Sequence, residues 1–222
     1  MKIVPFLLAC LLFAQTDAPV AEKANAHYQT PEARQGMMKT LTDPSRDARQ
    51  RPQDLVAALG IKPGMTVVDL GSGPGYMLPH LSKAVGPEGK VIAQDVFADF
   101  LKASEERNSQ LKNVTYILGS AKETKLGEKV ADLILVLDVY HHLDFPSRTL
   151  AELKRALKHG GRLAIVEYHK NDVAMNGNAK EHVRLAESDA IAEIESNGFR
   201  LVSKSEFSPK IQWLGFFQAK TP

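Results

Sequence analysis

Val67-Val68-Asp69-Leu70-Gly71-Ser72-Gly73-Pro74-Gly75-Tyr76 is the stretch that decides how this chain folds. Residues 66–70 form a β-rich apolar run, the composition of a buried strand, and glycines follow at alternating positions, Gly71, Gly73 and Gly75. Glycines there let the backbone turn sharply out of a strand and let a ligand approach with no Cβ in the way. A plain strand-to-helix turn needs only one. The rest of the chain keeps this rhythm of short apolar runs and longer amphipathic segments, which signals βαβ units and a parallel sheet.

Further strands are expected over 89–95, 113–119, 131–137 and 161–167. The run 131–137 (ADLILVL) is almost continuously apolar, as a central parallel strand should be. Helices are expected over 52–59, 76–85, 98–108, 146–157 and 188–196, with Pro52 in a first turn and Gly60 as a stop. Residues 199–207 and 211–218 read as two last strands in an antiparallel hairpin at one side of the sheet, and the polar stretch 171–180 as a mobile loop. The expected fold is α/β: a doubly wound, mostly parallel, seven-stranded sheet with a C-terminal antiparallel hairpin.

The loop also narrows the ligand. Aligned on Gly71 and Gly73, the dinucleotide fingerprint G-x-G-x-x-G puts its third glycine on Tyr76, a poor fit, and there is no G-x-x-x-x-G-K-[ST] phosphate loop. The second strand ends in Asp95, about 20 residues past the loop, where an acid suits the two hydroxyls of a ribose. A solvated acid at a strand end is the alternative. Loop and acid together point to a nucleoside carrying little or no phosphate.

The D-x-G-x-G-x-G run resembles motif I of the class I S-adenosylmethionine-dependent methyltransferases. Asp95, Gly119-Ser120-Ala121, ADLILVLD before Tyr140-His141-His142, and LKHGGRLAIVEY fit the same family over about residues 50–218. The chain is similar to small methyltransferase-domain proteins related to the ubiquinone-biosynthesis C-methyltransferases. It is most similar to predicted methyltransferases with a signal sequence, through RDARQRP and EHVRL…GFRLV. The resemblance implies S-adenosyl-L-methionine as cofactor and a small-molecule methyl acceptor. It places Asp69, Gly71, Gly73, Gly75 and Tyr76 around the methionine part. It puts Asp95 at the ribose, Val96, Ser120 and Ala121 at the adenine, and Asp138 or Val139 at the amino end. Many relatives carry an aspartate where Ser120 stands; a serine hydroxyl still accepts one hydrogen bond there. A silent nucleoside-binding module and, less well, a nicotinamide oxidoreductase are the competing readings.

Methyl transfer needs a base only where the acceptor must lose a proton. Tyr140, His141 and His142 follow the fourth strand, at the carboxyl edge where ligands sit in such sheets, and are the catalytic candidates, His142 first. Arg46 and Arg51 are candidates for a methionine carboxylate if the N-terminal segment folds over the site, and His182 and Arg184 for the substrate side. No metal site is expected, since His141 and His142 are adjacent and neither cysteines nor H-E-x-x-H support them.

Composition sets the outer limits. With 28 basic and 26 acidic residues the formal charge is +2, which gives no reason to expect a nucleic-acid partner. The single cysteine, Cys10, excludes an internal disulfide. Lys2 precedes an apolar run over 3–14, too short to span a bilayer and suited to the core of a signal peptide, with Ala24-Asn25-Ala26 as a cleavage pattern. Leu7-Leu8-Ala9-Cys10 as a lipidation site and an uncleaved apolar anchor are the rival readings. The expected organisation is a signal peptide or apolar leader over 1–26, a helical or linker segment over 27–49 and the domain over 50–220. The expected location is periplasmic or secreted, with no stable membrane insertion once the leader is removed, or cytoplasmic or anchored if it stays.

Overall fold

The computed structural model describes residues 18–170 and 179–220; the apolar leader and most of the loop expected over 171–180 lie outside them. Seven strands form one sheet: β1 (Thr66–Leu70), β2 (Lys90–Asp95), β3 (Val114–Leu118), β4 (Ala131–Leu137), β5 (Leu157–Tyr168), β6 (Phe199–Ser208) and β7 (Gln212–Ala219). Their spatial order is β3-β2-β1-β4-β5-β7-β6; β1 to β5 pair in parallel, and β7 pairs antiparallel with both β5 and β6.

Strand alternation explains why β1 and β4 read as runs that are apolar except at Thr66, Asp69 and Asp132. Val67, Leu133 and Leu135 face one side, packed with Leu55 and Leu59 of α4 (Pro52–Leu59) and Leu78 and Leu81 of α5 (Leu78–Val85). Val68, Ile134 and Val136 face the other, packed with Leu150 and Leu153 of α7 (Pro146–Ala156) and Ile194 of α9 (Glu187–Ser196). Both faces are covered, so both sets of positions are mainly apolar. Trp213 and Phe217 of β7 complete the second core.

Two element boundaries differ from expectation by more than one residue. The helix after the glycine loop begins at Leu78, not at 76, because Gly75 still holds a positive φ of 80° and Pro79 fills the helix's first turn. The fifth strand starts at Leu157, directly after α7. Its pairing jumps from Ala131↔Leu157 to Leu133↔Arg162, and an irregularity there absorbs the turn-like Gly160 and Gly161.

The largest difference is at the N-terminal side. Helices α1 (Glu22–Asn25), α2 (Pro31–Leu41) and α3 (Arg46–Gln50) pack onto the domain. Val20 N–H donates to Asp144 O at 3.0 Å, and Ala21 and Ala24 are buried. Arg34 pairs with Asp99 of α6 (Ala98–Arg107) at 2.7 Å and lies over the Phe97 ring. The boundary expected after residue 26 therefore falls inside packed structure.

Candidate active site

The carboxyl ends of β1 to β5 and the N-terminal helices enclose one cavity of about 750 Å³. It sits where the strand order reverses, between β1 and β4, as open α/β sheets place their ligands.

The glycine loop forms one wall. Ser72 N–H donates to Gln94 O at 2.9 Å, and Gly73 N–H to Asp95 Oδ2 at 2.8 Å, so the end of β2 pins the loop. At Gly73, with φ 56°, an added Cβ would meet only Leu41 Cδ1, at 3.8 Å: this position opens onto the cavity. Gly75 does a different job. It does not line the cavity, and a Cβ there would collide with Ser104 and sit 2.5 Å from Asn108 Nδ2. Its expected ligand contact is thus corrected to a packing role against α6. Gly71 lines the cavity beside Val139.

Three buried carboxylates converge here. Asp95 accepts from Gly73 N–H through Oδ2 and from Phe97 N–H through Oδ1 at 2.9 Å, and Val96 N–H is a third backbone donor to the same carboxylate. Burial pushes Asp95 up to about 6, against those hydrogen bonds. Asp69 is pushed up to about 7 by burial, partly offset by the Arg46 guanidinium and aggravated by Asp95. Asp138 rises to about 6 through burial and Glu167, while Arg46 and the Gln212 amide bonded to its Oδ1 at 2.6 Å oppose the rise. Asp138 also holds φ 55°, an unusual conformation for a non-glycine residue.

Arg46 reaches the cavity as expected of a segment that folds over it. Its guanidinium lies 4.3 Å above the Tyr76 ring and 3.9 Å from Asp138 Oδ2, and its buried Nε has no hydrogen-bond partner among the described residues. Ser72 Oγ, also on the cavity wall, is likewise buried and unpartnered. Arg51 is elsewhere: it bonds Phe207 O and lies over the Phe207 ring. Val96, Ser120, Ala121, Val139 and Tyr76 all line the cavity. Ser120 Oγ already accepts from Glu123 N–H at 3.1 Å and keeps one lone pair.

The Tyr-His-His run forms a 3₁₀ turn, Tyr140–His142, and its members part company. Tyr140 is corrected from catalytic candidate to core residue: it is 2% exposed, does not line the cavity, and its hydroxyl donates to Glu193 Oε1 at 2.6 Å on the far side of the sheet edge. His141 and His142 do line it, together with His182 of α8 (Ala179–His182). His141 Nδ1 lies 2.8 Å from Glu167 Oε2 and its Nε2 lies 3.1 Å from His182 Nε2. Burial disfavours the His141 cation, but the Glu167 carboxylate more than compensates and the pKa rises. His142 goes well below the ordinary range through burial and its histidine neighbours, and His182 falls to about 4 for the same reasons. Arg184 is turned away, paired with Glu193.

Several wall residues escaped the sequence reading. Asn25 bonds His142 Nδ1 through Oδ1 at 2.9 Å and donates from Nδ2 to His142 O and Asp144 Oδ1. Tyr28 stacks on Phe97 and meets His142 edge-on. Glu167 is 2% exposed; an acid closing the apolar run LAIVE was the one visible signal for it.

Comparison with known proteins agrees with this architecture. Residues 68–165 match a family described as "Methyltransferase domain". A crystal structure of a SAM-dependent methyltransferase from Aquifex aeolicus aligns with 33% identity and a TM-score of 0.77, over 82% of this chain and 96% of that one. The ubiquinone/menaquinone biosynthesis C-methyltransferase of Vibrio campbellii is 31% identical over 114 residues, 50% of this chain and 44% of that protein. An uncharacterized 37.1 kDa protein from a Streptomyces fradiae transposon is 35% identical over 120 residues, 54% of this chain and 35% of that protein. The chain thus matches less than half the length of these curated relatives.

Proposed function

Since the chain belongs to the class I S-adenosylmethionine-dependent methyltransferases, we propose that it moves the cofactor's methyl group to a small molecule held against the His141–His142 side of the cavity. One observation carries the reading: three buried acids, Asp69, Asp95 and Asp138, surround a cavity that the side-chain-free Gly73 opens to a guest. Desolvated carboxylates favour a cationic occupant, and this cofactor carries a sulfonium and an ammonium.

When bound, S-adenosylmethionine supplies a methyl group already activated on a positive sulfur. The residues of the chain do the positioning. Asp95 offers its carboxylate oxygens to the ribose hydroxyls, and Gly71 and Gly73 let main chain lie against the methionine part. Val96, Ala121 and the spare lone pair of Ser120 face the adenine. Asp69 and Asp138 attract the ammonium, and the unpartnered Arg46 Nε and Ser72 Oγ fit the carboxylate. The N-terminal helices exclude water, which strengthens these interactions and aligns the acceptor; good alignment is worth roughly 7–11 kcal/mol of barrier.

Incubation of the full chain with methyl-labelled S-adenosylmethionine and a size-fractionated extract tests this reading. Label passing into the fraction below about 1 kDa, the size a cavity of this class admits, is expected. Transfer only to protein or nucleic acid, or none to any fraction, would overturn it.

A further inference from the structure

We propose that His141, His142 and His182 form a three-imidazole site for a divalent transition metal of the zinc type, with its open position facing the cavity. The ligand atoms of these three residues lie within 4.8 Å of one another. Their rings are mutually packed, with centroids 4.1, 4.8 and 5.2 Å apart.

Hydrogen bonding fixes which nitrogen each ring presents. Glu167 Oε2 can only accept, so His141 carries a proton on Nδ1, and Nε2 is the nitrogen left to face a ligand. The Asn25 amide is oriented by donating Nδ2 to His142 O and Asp144 Oδ1. Its Oδ1 therefore accepts from His142 Nδ1–H, which leaves His142 Nε2 bare. His141 Nε2 lies 3.1 Å from His182 Nε2, and one shared proton, which a metal ion would displace, serves that pair. His142 Nε2 has no donor among the described residues.

A metal ion accepts all three. Metal–imidazole bonds of about 2.0–2.1 Å in a tetrahedron place nitrogens about 3.3 Å apart, close to the His141–His182 spacing. Glu167 behind His141 and Asn25 behind His142 are the outer partners that hold ligating imidazoles in one tautomer. Three imidazoles with a fourth position open is the arrangement of a catalytic site; a structural one is closed. In the cavity, that fourth position takes a hydroxyl or thiol of the acceptor and favours its loss of a proton to solvent. Sequence spacing hid the site because His182 comes from α8, 41 residues beyond His141. Imidazole donors suit zinc, copper, nickel or iron and disfavour calcium or magnesium.

The test is calorimetric titration of zinc chloride into the full chain, purified without a histidine tag and freed of metal by chelator. One saturable zinc per chain is expected. Glu167→Gln should weaken binding by about 10–100-fold, and His142→Ala and His182→Ala, which each remove a ligand, by at least as much. Cobalt(II) in the unmodified chain should give the intense visible bands of a tetrahedral nitrogen-rich site, a readout that needs no variant to fold. No saturable binding, weak octahedral-type cobalt bands, or zinc affinity unchanged in both histidine variants would overturn the proposal. The last result would direct attention to the surface group His169, Glu187 and Glu206.

Discussion

Replacing Gly73 by alanine separates the cost of a backbone conformation from the cost of a blocked site. Gly73 has φ 56°, so any Cβ there adopts the left-handed region, at roughly 1–2 kcal/mol. The new methyl meets nothing nearer than Leu41 Cδ1 at 3.8 Å, so no packing penalty joins it. For a chain of this size that predicts a fall in Tm of about 2–8 °C with folding intact. The methyl occupies the surface where the main chain touches the ligand, so affinity for S-adenosylmethionine should fall at least about tenfold, or ~1.4 kcal/mol. Gly75→Ala is the contrasting variant. Its Cβ collides with Ser104 and Asn108, both fully packed in α6 and its cap, so stability should fall by about 3 kcal/mol or more, strain and overpacking together. Thermal unfolding and calorimetry on the two variants check both halves. Unaltered affinity in Gly73→Ala, or equal stability losses in the two, would refute the assignment of one glycine to the ligand and the other to the fold.

Asp95→Ala should weaken cofactor binding by about 1.5–3 kcal/mol; it should also lower Tm, because the Gly73 and Phe97 amides lose their acceptor. The pH dependence of stability follows from Asp69 and Asp95, raised to about 7 and about 6 in the fold. Their contribution is full below about pH 4, where both states are protonated, and is lost as pH rises through 6 to 7; denaturant unfolding across that window measures the fall. A cationic ligand lowers both pKa values, so binding near pH 6.5 should release protons, visible as a dependence of the calorimetric heat on buffer ionisation enthalpy. Asn25→Ala, or removal of residues through 26, should cost about 1–3 kcal/mol, because His142 Nδ1–H and its part-buried carbonyl lose their partners. Mass measurement of the mature N-terminus bears on this: any processing should spare Ala21 onward.

The sheet was legible because its signals are local. The runs 66–70 and 131–137 coincide with β1 and β4, since strands covered on both faces are apolar at most positions. The glycine spacing located the cavity wall, and Asp95 at a strand end located its partner. What stayed hidden depends on closure in three dimensions. Residues 22–50 are too polar to announce a core, yet they roof the cavity by ion pairs and hydrogen bonds, such as Arg34 with Asp99 and Asn25 with His142. Tyr140 and His141 are neighbours in sequence, but one 3₁₀ turn sends the first into the core and the second into the cavity. Position along the chain could not tell them apart. Gly75 differs from Gly73 only through Ser104 and Asn108, which lie some 30 residues further on.

The most direct measurement is a parallel calorimetric titration of the full chain with S-adenosylmethionine, S-adenosylhomocysteine and NAD. Binding of the first two at one site per chain, with no heat from NAD, is the predicted result. Heat from the dinucleotide alone, or from none of the three, would contradict the reading of a pyrophosphate-free pocket lined by buried acids.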